Sequence, residues 1–267
     1  MERPQGPPPA PSHHTGPVRL VQLTDPHLVT GTGIAAPRLG DTRASFARCL
    51  AHARRHHFPV DALLLTGDLV HDDAAAYPLL ATLLQGIDVP VHALTGNHDT
   101  DTGLRVLLRS RPFSLAPVVR YGAWVLVFLD TVVPGAAHGE LRSEALTLLR
   151  ASLQRHADAH VLIAMHHHPV PVGSRWLDLL GVRNAPELFA AIAGCDNVRA
   201  VLWGHVHQAY DGMRDGVMLM GTPSTCVQFA PDRDEFALDD RPPAYRWLLL
   251  HPDGRIDTRI VWVGEET

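Results

Sequence analysis

The chain has 267 residues, of which 46% are hydrophobic and 19% charged, and its mean hydropathy is close to zero, as is typical of a globular protein. No apolar run reaches the roughly 18 residues of a transmembrane helix, and the first residues lack the apolar stretch of a secretory signal, so we expect neither. The formal charge of −5 argues against a protein that grips nucleic acid through its net charge. Three cysteines without Cys-x-x-Cys spacing argue against a disulfide framework or a cysteine zinc site and predict a reducing, cytoplasmic setting.

The first residues differ in composition from the rest of the chain. Five prolines occur in the first twelve positions without apolar periodicity, which predicts a disordered, Pro-rich tail over residues 1–17. No later stretch resembles a flexible linker. We therefore expect residues 18–267 to form a single domain.

From Val18 onward, short apolar runs alternate with helical patterns. The runs predict strands at 18–24, 61–66, 91–94, 123–129, 160–165 and 198–203. Helices are predicted after a capping Asp41, around 74–84, over 143–157 and near 186–193. The remainder, to Val263, is predicted to be strands and turns, with a hairpin at Asp253-Gly254. This order indicates an α/β fold that becomes mainly β towards its C-terminus.

Polar clusters follow five of the predicted strands. They are Asp25-Pro-His27, Gly67-Asp68, Gly96-Asn-His-Asp99, His166-His-His168 and Gly204-His-Val-His207. Any one cluster is at least as consistent with ordinary turn or surface residues. Because ligands gather beyond the carboxyl ends of strands in such folds, the five together predict a metal site. Carboxylate, amide and imidazole groups without thiolate suit iron, manganese or zinc, and they suffice for two ions if one carboxylate bridges.

The ordered set of clusters resembles the calcineurin-like metallophosphoesterase family, over Asp25 to His207. The resemblance implies a four-layer α/β/β/α sandwich of two mixed sheets flanked by helices. It implies one metal held by Asp25, His27 and His207, a second held by Asn97, His166 and His205, and Asp68 bridging both. His98 would face the substrate phosphate and, with Asp68, act in catalysis. The implied substrate-binding residues are His27, Asp68, Asn97, His98, His166 and His207.

Two assignments keep an alternative. Among the three consecutive histidines, His166 best matches the single ligand of the family, and His167 is the alternative. Either Asp72 or Asp99 could orient His98, and each could equally be a helix cap.

Four further segments resemble the bacterial class III 3′,5′-cyclic AMP phosphodiesterases. They are His138–Leu141, Trp176–Asp178, Arg183–Ala185 and Thr222–Phe229. The resemblance implies hydrolysis of cyclic AMP to 5′-AMP by in-line attack of a hydroxide shared by the two metals, with His98 assisting the leaving oxygen. Trp176 could instead be a core or lid aromatic, Arg183 and Asn184 capping or surface groups, and the segment around Ser224 an ordinary turn between strands.

Two other functions are compatible with the sequence. One is a broader phosphodiesterase acting on 2′,3′-cyclic nucleotides, cyclic GMP or glycerophosphodiesters. The other is a non-catalytic metal-dependent binding or scaffold protein, although neither His98 nor the bridging Asp68 is substituted. We expect a small-molecule partner, no nucleic acid and no membrane, and a homodimer is compatible with the resemblance.

Overall fold

The structure is a computed structural model that describes residues 15–31, 39–100, 103, 104, 107 and 112–264. Most of the predicted tail at 1–17 therefore lies outside the described residues, and the single domain over 18–267 stays a prediction. The strands are β1 Val18–Leu23, β2 Ala62–Thr66, β3 Val91–Leu94, β4 Phe113–Ser114, β5 Val118–Tyr121, β6 Trp124–Phe128, β7 His160–Ala164, β8 Val198–Trp203, β9 Tyr210–Arg214, β10 Val217–Gly221, β11 Gln228–Phe229, β12 Leu238–Asp239, β13 Ala244–Leu250 and β14 Ile256–Trp262. The α-helices are α1 Thr42–His57, α2 Tyr77–Leu83, α3 Ser143–Arg155, α4 Arg175–Asp178 and α5 Ala185–Ile192.

Two mixed six-stranded sheets form the centre of the fold. The first has the order β14-β13-β1-β2-β3-β4, with β1 to β4 parallel and β13 and β14 antiparallel. The second has the order β5-β6-β7-β8-β10-β9, with β6, β7, β8 and β10 parallel. Strands β2, β6 and most of β7 are fully buried, as expected for parallel strands covered on both faces.

Three apolar clusters divide these elements into four layers. One cluster joins α1 and α2 to the first sheet, and another joins α3 and α5 to the second. The third lies between the sheets and contains Leu20 and Leu64 of the first sheet with Leu162 and Leu202 of the second. The predicted α/β/β/α sandwich is therefore confirmed.

Helix α1 shows how closely local sequence determines these elements. The Asp41 carboxylate accepts a hydrogen bond from the Ala44 N–H at 2.9 Å, which is the predicted N-cap. The predicted apolar face, which includes Phe46, Cys49 and Ala53, is buried against the first sheet. The predicted hairpin at Asp253-Gly254 is also present, because β13 and β14 pair around it.

Several elements differ from the sequence-based expectation, and β4 and α4 are among those not predicted. The segment predicted as one helix around 74–84 begins as a 3₁₀ turn at Ala74–Ala76, and α2 follows. Pro78 has no N–H to donate to the Ala74 carbonyl, so a continuous α-helix cannot form there. Strand β5 was not predicted, because a four-residue strand at the edge of a sheet, only half buried, has no clear alternation.

The helices of the described ranges include none long and apolar enough to cross a membrane.

His92 provides a polar link between the sheets. It is buried on β3, and its Nε2 is hydrogen bonded to the Tyr121 hydroxyl of β5 at 2.7 Å. Burial lowers the pKa of His92 from 6.5 to about 4. The folded protein therefore holds this imidazole neutral at pH values where the unfolded chain protonates it.

We expect His92 to make the fold acid-sensitive. The contribution of neutral His92 to the free energy of unfolding should be complete above about pH 6.5. It should decline as the pH falls towards 4, by about 2 kcal/mol at pH 5. Urea unfolding of the wild type and of His92→Gln, which cannot titrate, checks this at pH 7 and pH 5. The wild type should lose more stability than the variant, and equal losses would contradict the prediction.

Candidate metal centre

The five predicted clusters come together at one edge of the sandwich. Each lies just beyond the carboxyl end of its strand, three in the first sheet (β1, β2, β3) and two in the second (β7, β8). The sheets are joined directly at this edge, because the His205 N–H, beyond β8 of the second sheet, donates to the carboxylate of Asp25, beyond β1 of the first, at 3.0 Å. We call the segments that follow these five strands the site loops.

The backbone of the site loops is unusually strained. Eight non-glycine residues within the described ranges have positive φ, and six of them lie in these loops: Asp25, His27, Asp68, Asp72, His205 and His207. Left-handed backbone is costly for such residues and concentrates at functional sites. The concentration of left-handed residues at this edge therefore marks it as a candidate site.

Two glycines allow the loops to approach one another. A Cβ atom at Gly96 would overlap the Asp68 carboxylate, and one at Gly204 would lie 2.5 Å from an oxygen of Asp25. Any larger residue at either position would displace a carboxylate of the site.

One half of the centre contains Asp25, His27 and His207. The His27 and His207 Nε2 atoms are 3.1 Å apart, and His207 Nε2 is 3.6 Å from Asp25 Oδ1. Residues of this half are almost entirely buried. His207 Nδ1–H donates to the Val227 carbonyl at 2.7 Å, which leaves its Nε2 facing His27.

The other half contains Asn97, His166 and His205. His166 Nε2 lies 3.2 Å from Asn97 Oδ1, and its Nδ1–H donates to the Thr66 carbonyl at 2.9 Å. The His205 ring is 5.0 Å from that of His166, and its Nε2 is buried with no hydrogen-bond partner in the described part of the chain.

Asp68 lies between the two halves. A single oxygen, Oδ2, is 3.3 Å from His166 Nε2 and 3.5 Å from His27 Nε2. The second oxygen accepts a hydrogen bond from the His98 N–H at 2.9 Å. The predicted metal residues are thus brought into one cluster, and Asp68 occupies its middle.

The protonation states follow from burial and charge. Burial raises the pKa of Asp68, but the charge of His166 and the hydrogen bond with it hold that pKa well below its usual value. Burial lowers the pKa of His166, yet Asp68 and Asp25 outweigh it and raise the pKa to about 9. Burial lowers the pKa of His27 and of His205 well below the ordinary histidine value. At neutral pH these side chains by themselves therefore combine an ionised Asp68 and a protonated His166 with neutral His27 and His205.

This donor set fits metal ions. Facing Nε2 atoms such as those of His27 and His207 repel one another unless a proton or a cation lies between them. The unpartnered Nε2 of buried His205 is likewise costly without an acceptor for its lone pair. Oxygen and imidazole donors gathered within a few ångströms are the ligands of divalent transition metals.

The second histidine of the run, His167, also points into this region. Its Nδ1 is hydrogen bonded to the Thr131 hydroxyl at 2.7 Å, and its ring is 4.6 Å from that of His205. His166 contacts both Asp68 and Asn97, whereas no such contact of His167 occurs among the described residues.

His98 lies at the outer side of the site, with its side chain 29% exposed. Its Nδ1–H donates to Asp72 Oδ2 at 3.1 Å. Asp99 does not contact the His98 ring and instead accepts hydrogen bonds from the Leu69 and Gly96 N–H groups. Of the two acidic residues considered from the sequence, Asp72 is therefore the one that holds His98.

The segment Thr222–Phe229 supports the site in a way that sequence reasoning missed. The Ser224 hydroxyl donates to the Asp25 carbonyl at 2.7 Å, and the Thr225 hydroxyl to the Thr24 carbonyl at 3.1 Å. The Phe229 ring stacks on His207 at 4.1 Å, and Trp176 packs against Phe229. The segment does connect two strands, but it also braces the left-handed turn at Asp25. Its resemblance to a family segment was the only signal in the sequence.

Asn184 has a bracing role instead of the capping role that was weighed for it. Its side chain makes no cap for α5. It exchanges two hydrogen bonds with the Leu141 backbone, at 2.9 and 2.8 Å.

Comparison with known proteins identifies similar proteins and a family model. The family model for calcineurin-like phosphoesterases matches residues 18–209. The chain is 39% identical to the 3′,5′-cyclic adenosine monophosphate phosphodiesterase CpdA of Pseudomonas aeruginosa, over 93% of this chain and 91% of that protein. It is 32% identical to a 3′,5′-cyclic-nucleotide phosphodiesterase of Nostoc sp., over 91% of this chain and 92% of the relative.

A solved structure shares the fold. A dimetal phosphatase from Danio rerio superposes with a TM-score of 0.61 at 16% identity, covering 92% of this chain and 99% of that one. With the matched family model extending from β1 to the end of the last site loop, the chain belongs to the calcineurin-like phosphoesterase family.

Proposed function

We propose that the protein is a dinuclear metal phosphodiesterase that hydrolyses 3′,5′-cyclic AMP to 5′-AMP. The observation that carries this proposal is the 39% identity to the Pseudomonas phosphodiesterase over nearly the whole of both chains. The clustered site loops support it, because both halves of the centre and the residue between them are complete.

The proposed ligands are those that the sequence predicted. Asp25, His27 and His207 would hold one ion, and Asn97, His166 and His205 the other. Asp68, whose Oδ2 faces both halves, would be shared by the two ions. Iron, manganese and zinc all suit these donors.

The chain's own residues would bind and orient the phosphodiester. Bound cations would neutralise the phosphate oxygens and lower the pKa of water, so that hydroxide is available at neutral pH. The proposed phosphate-binding residues are His27, Asp68, Asn97, His98, His166 and His207. With Nδ1–H held by Asp72, His98 would present Nε2 to the departing 3′ oxygen and supply its proton there.

The experiment starts from protein stripped by a chelator and reloaded separately with Mn²⁺, Fe²⁺ or Zn²⁺. Each form is incubated with 3′,5′-cyclic AMP, and the products are separated by chromatography that resolves 5′-AMP from 3′-AMP. The expected result is 5′-AMP in the reloaded protein only. Absence of product with every metal, from protein that has regained its metal, would overturn the proposal.

A broader specificity is the second candidate, favoured by the Nostoc relative, whose name specifies no base. The same assay with 3′,5′-cyclic GMP, 2′,3′-cyclic AMP and a glycerophosphodiester distinguishes the two. Comparable kcat/KM values across this panel would favour the broader activity, and a clear preference for cyclic AMP the narrower one.

The choice between His166 and His167 gives a direct prediction. We expect His166→Ala to lose about one of two metal equivalents, because its Nε2 faces Asp68 and Asn97. His167→Ala should retain both equivalents, since the described residues show no contact of His167 with Asp68 or Asn97. Metal analysis after dialysis measures this, and the reverse pattern would make His167 the ligand.

A further inference from the structure

His71 lies directly behind His27, on the side away from the centre. The Nδ1 atoms of the two rings are 3.0 Å apart. The other nitrogen of His27, Nε2, faces His207 and Asp68. The His27 ring is thus held at both of its nitrogens, and nothing in the comparisons gives His71 a role.

The backbone makes this contact a built feature. The Leu28 N–H donates to the Leu69 carbonyl at 3.1 Å, and the His71 N–H donates back to the Leu28 carbonyl at 3.1 Å. Leu28 and Val70 form a parallel bridge between these two hydrogen bonds. The loop that carries His71 is therefore paired with the loop that carries His27.

Proton counting fixes the direction of the contact. Two imidazole nitrogens at 3.0 Å need one proton between them. A histidine that binds a metal through Nε2 has its own proton on Nδ1, so His27 donates and His71 Nδ1 accepts. Backbone carbonyls fill the same place behind two of the other proposed histidine ligands: that of Val227 behind His207, and that of Thr66 behind His166.

We infer that His71 is a positioning residue that fixes the tautomer and ring orientation of His27 for metal binding. The inference rests on the proposed ligand set. His71 also stacks on the His98 ring at 4.4 Å, and its neighbour Asp72 binds His98 Nδ1. The segment 68–72 thereby carries the proposed bridging residue, Asp68, together with His71, which contacts His27, and Asp72, which contacts His98.

The test compares metal affinities of stripped protein, titrated with Zn²⁺ against a competing chelator. His71→Phe keeps an aromatic ring against His98 but removes the acceptor, and its affinity at one site should fall about 10- to 100-fold. His71→Gln retains an acceptor oxygen and should bind near the wild-type level. His27→Ala serves as the reference for a lost ligand, and His56→Phe, at an exposed histidine of α1, as the matched control.

The outcomes separate the inference from the proposed function. Wild-type affinity in His71→Phe, or equal losses in His71→Phe and His71→Gln, would overturn the positioning role. An unchanged affinity in His27→Ala would instead overturn the ligand assignment.

A measurement on the wild type covers the case in which His71→Phe does not fold. In the Zn²⁺-loaded protein, nitrogen-15 NMR should show the proton of His27 on Nδ1 and that of His71 on Nε2. A His71 protonated on Nδ1 would contradict the inference.

Discussion

Replacing Asp68 by asparagine is expected to remove most of the bound metal and to lower turnover by several orders of magnitude. The buried Oδ2 atom faces His27 and His166 at 3.5 and 3.3 Å, and a neutral amide cannot supply the negative charge that two cations would share. Asparagine keeps an oxygen that can accept the His98 N–H, so the loop shape should survive. Metal analysis after dialysis and cyclic AMP turnover measure the two effects.

The matched control is Asp158→Asn. Asp158 is an exposed carboxylate paired with Arg120 at 2.7 Å, and its loss should change neither metal content nor turnover. An Asp68→Asn protein with full metal content and full activity would remove the bridging role.

His98→Ala should retain both metals yet lower turnover of cyclic AMP by about 10²- to 10⁴-fold, the usual contribution of a general acid. The loss should be much smaller with bis(p-nitrophenyl) phosphate, because nitrophenolate leaves without needing a proton. Asp72→Asn should cause a smaller loss than His98→Ala, since the Asp72 side chain is 70% exposed and only orients the ring.

His56→Ala, on the exposed face of α1, is the control for the loss of a histidine as such. Metal content that collapses in His98→Ala, or equal losses with both substrates, would show that His98 acts on the structure of the centre instead of the leaving group.

The fold and the centre could be predicted together because both depend on local signals. Buried runs such as 62–66 and 198–203 identify strands, and the carboxyl ends of parallel strands share an edge whatever the details between them. Asp68 and His207 could be proposed as ligands because residue type and place after a strand are both visible in the sequence.

The hydrogen-bond partners that orient these side chains could not be predicted from the sequence, because they are distant in the chain or are backbone groups. Behind His207 lies a backbone carbonyl, at Val227, which any residue would supply. The choice between Asp72 and Asp99 depended on where each carboxylate turns, and Asp99 turns to backbone N–H groups. His71 offered no signal, because its contact with His27 requires two loops 44 residues apart to pair.

The proposed ligands come from both layers of strands: Asp25, His27, Asp68 and Asn97 follow strands of one sheet, and His166, His205 and His207 follow strands of the other. Ions bound by ligands from both sheets would crosslink the two sheets. Only the native state would bring these ligands together, so the ions would bind it in preference to the unfolded chain. Loading would then raise the melting temperature with the concentration of free metal, so heat resistance would report occupancy without any substrate.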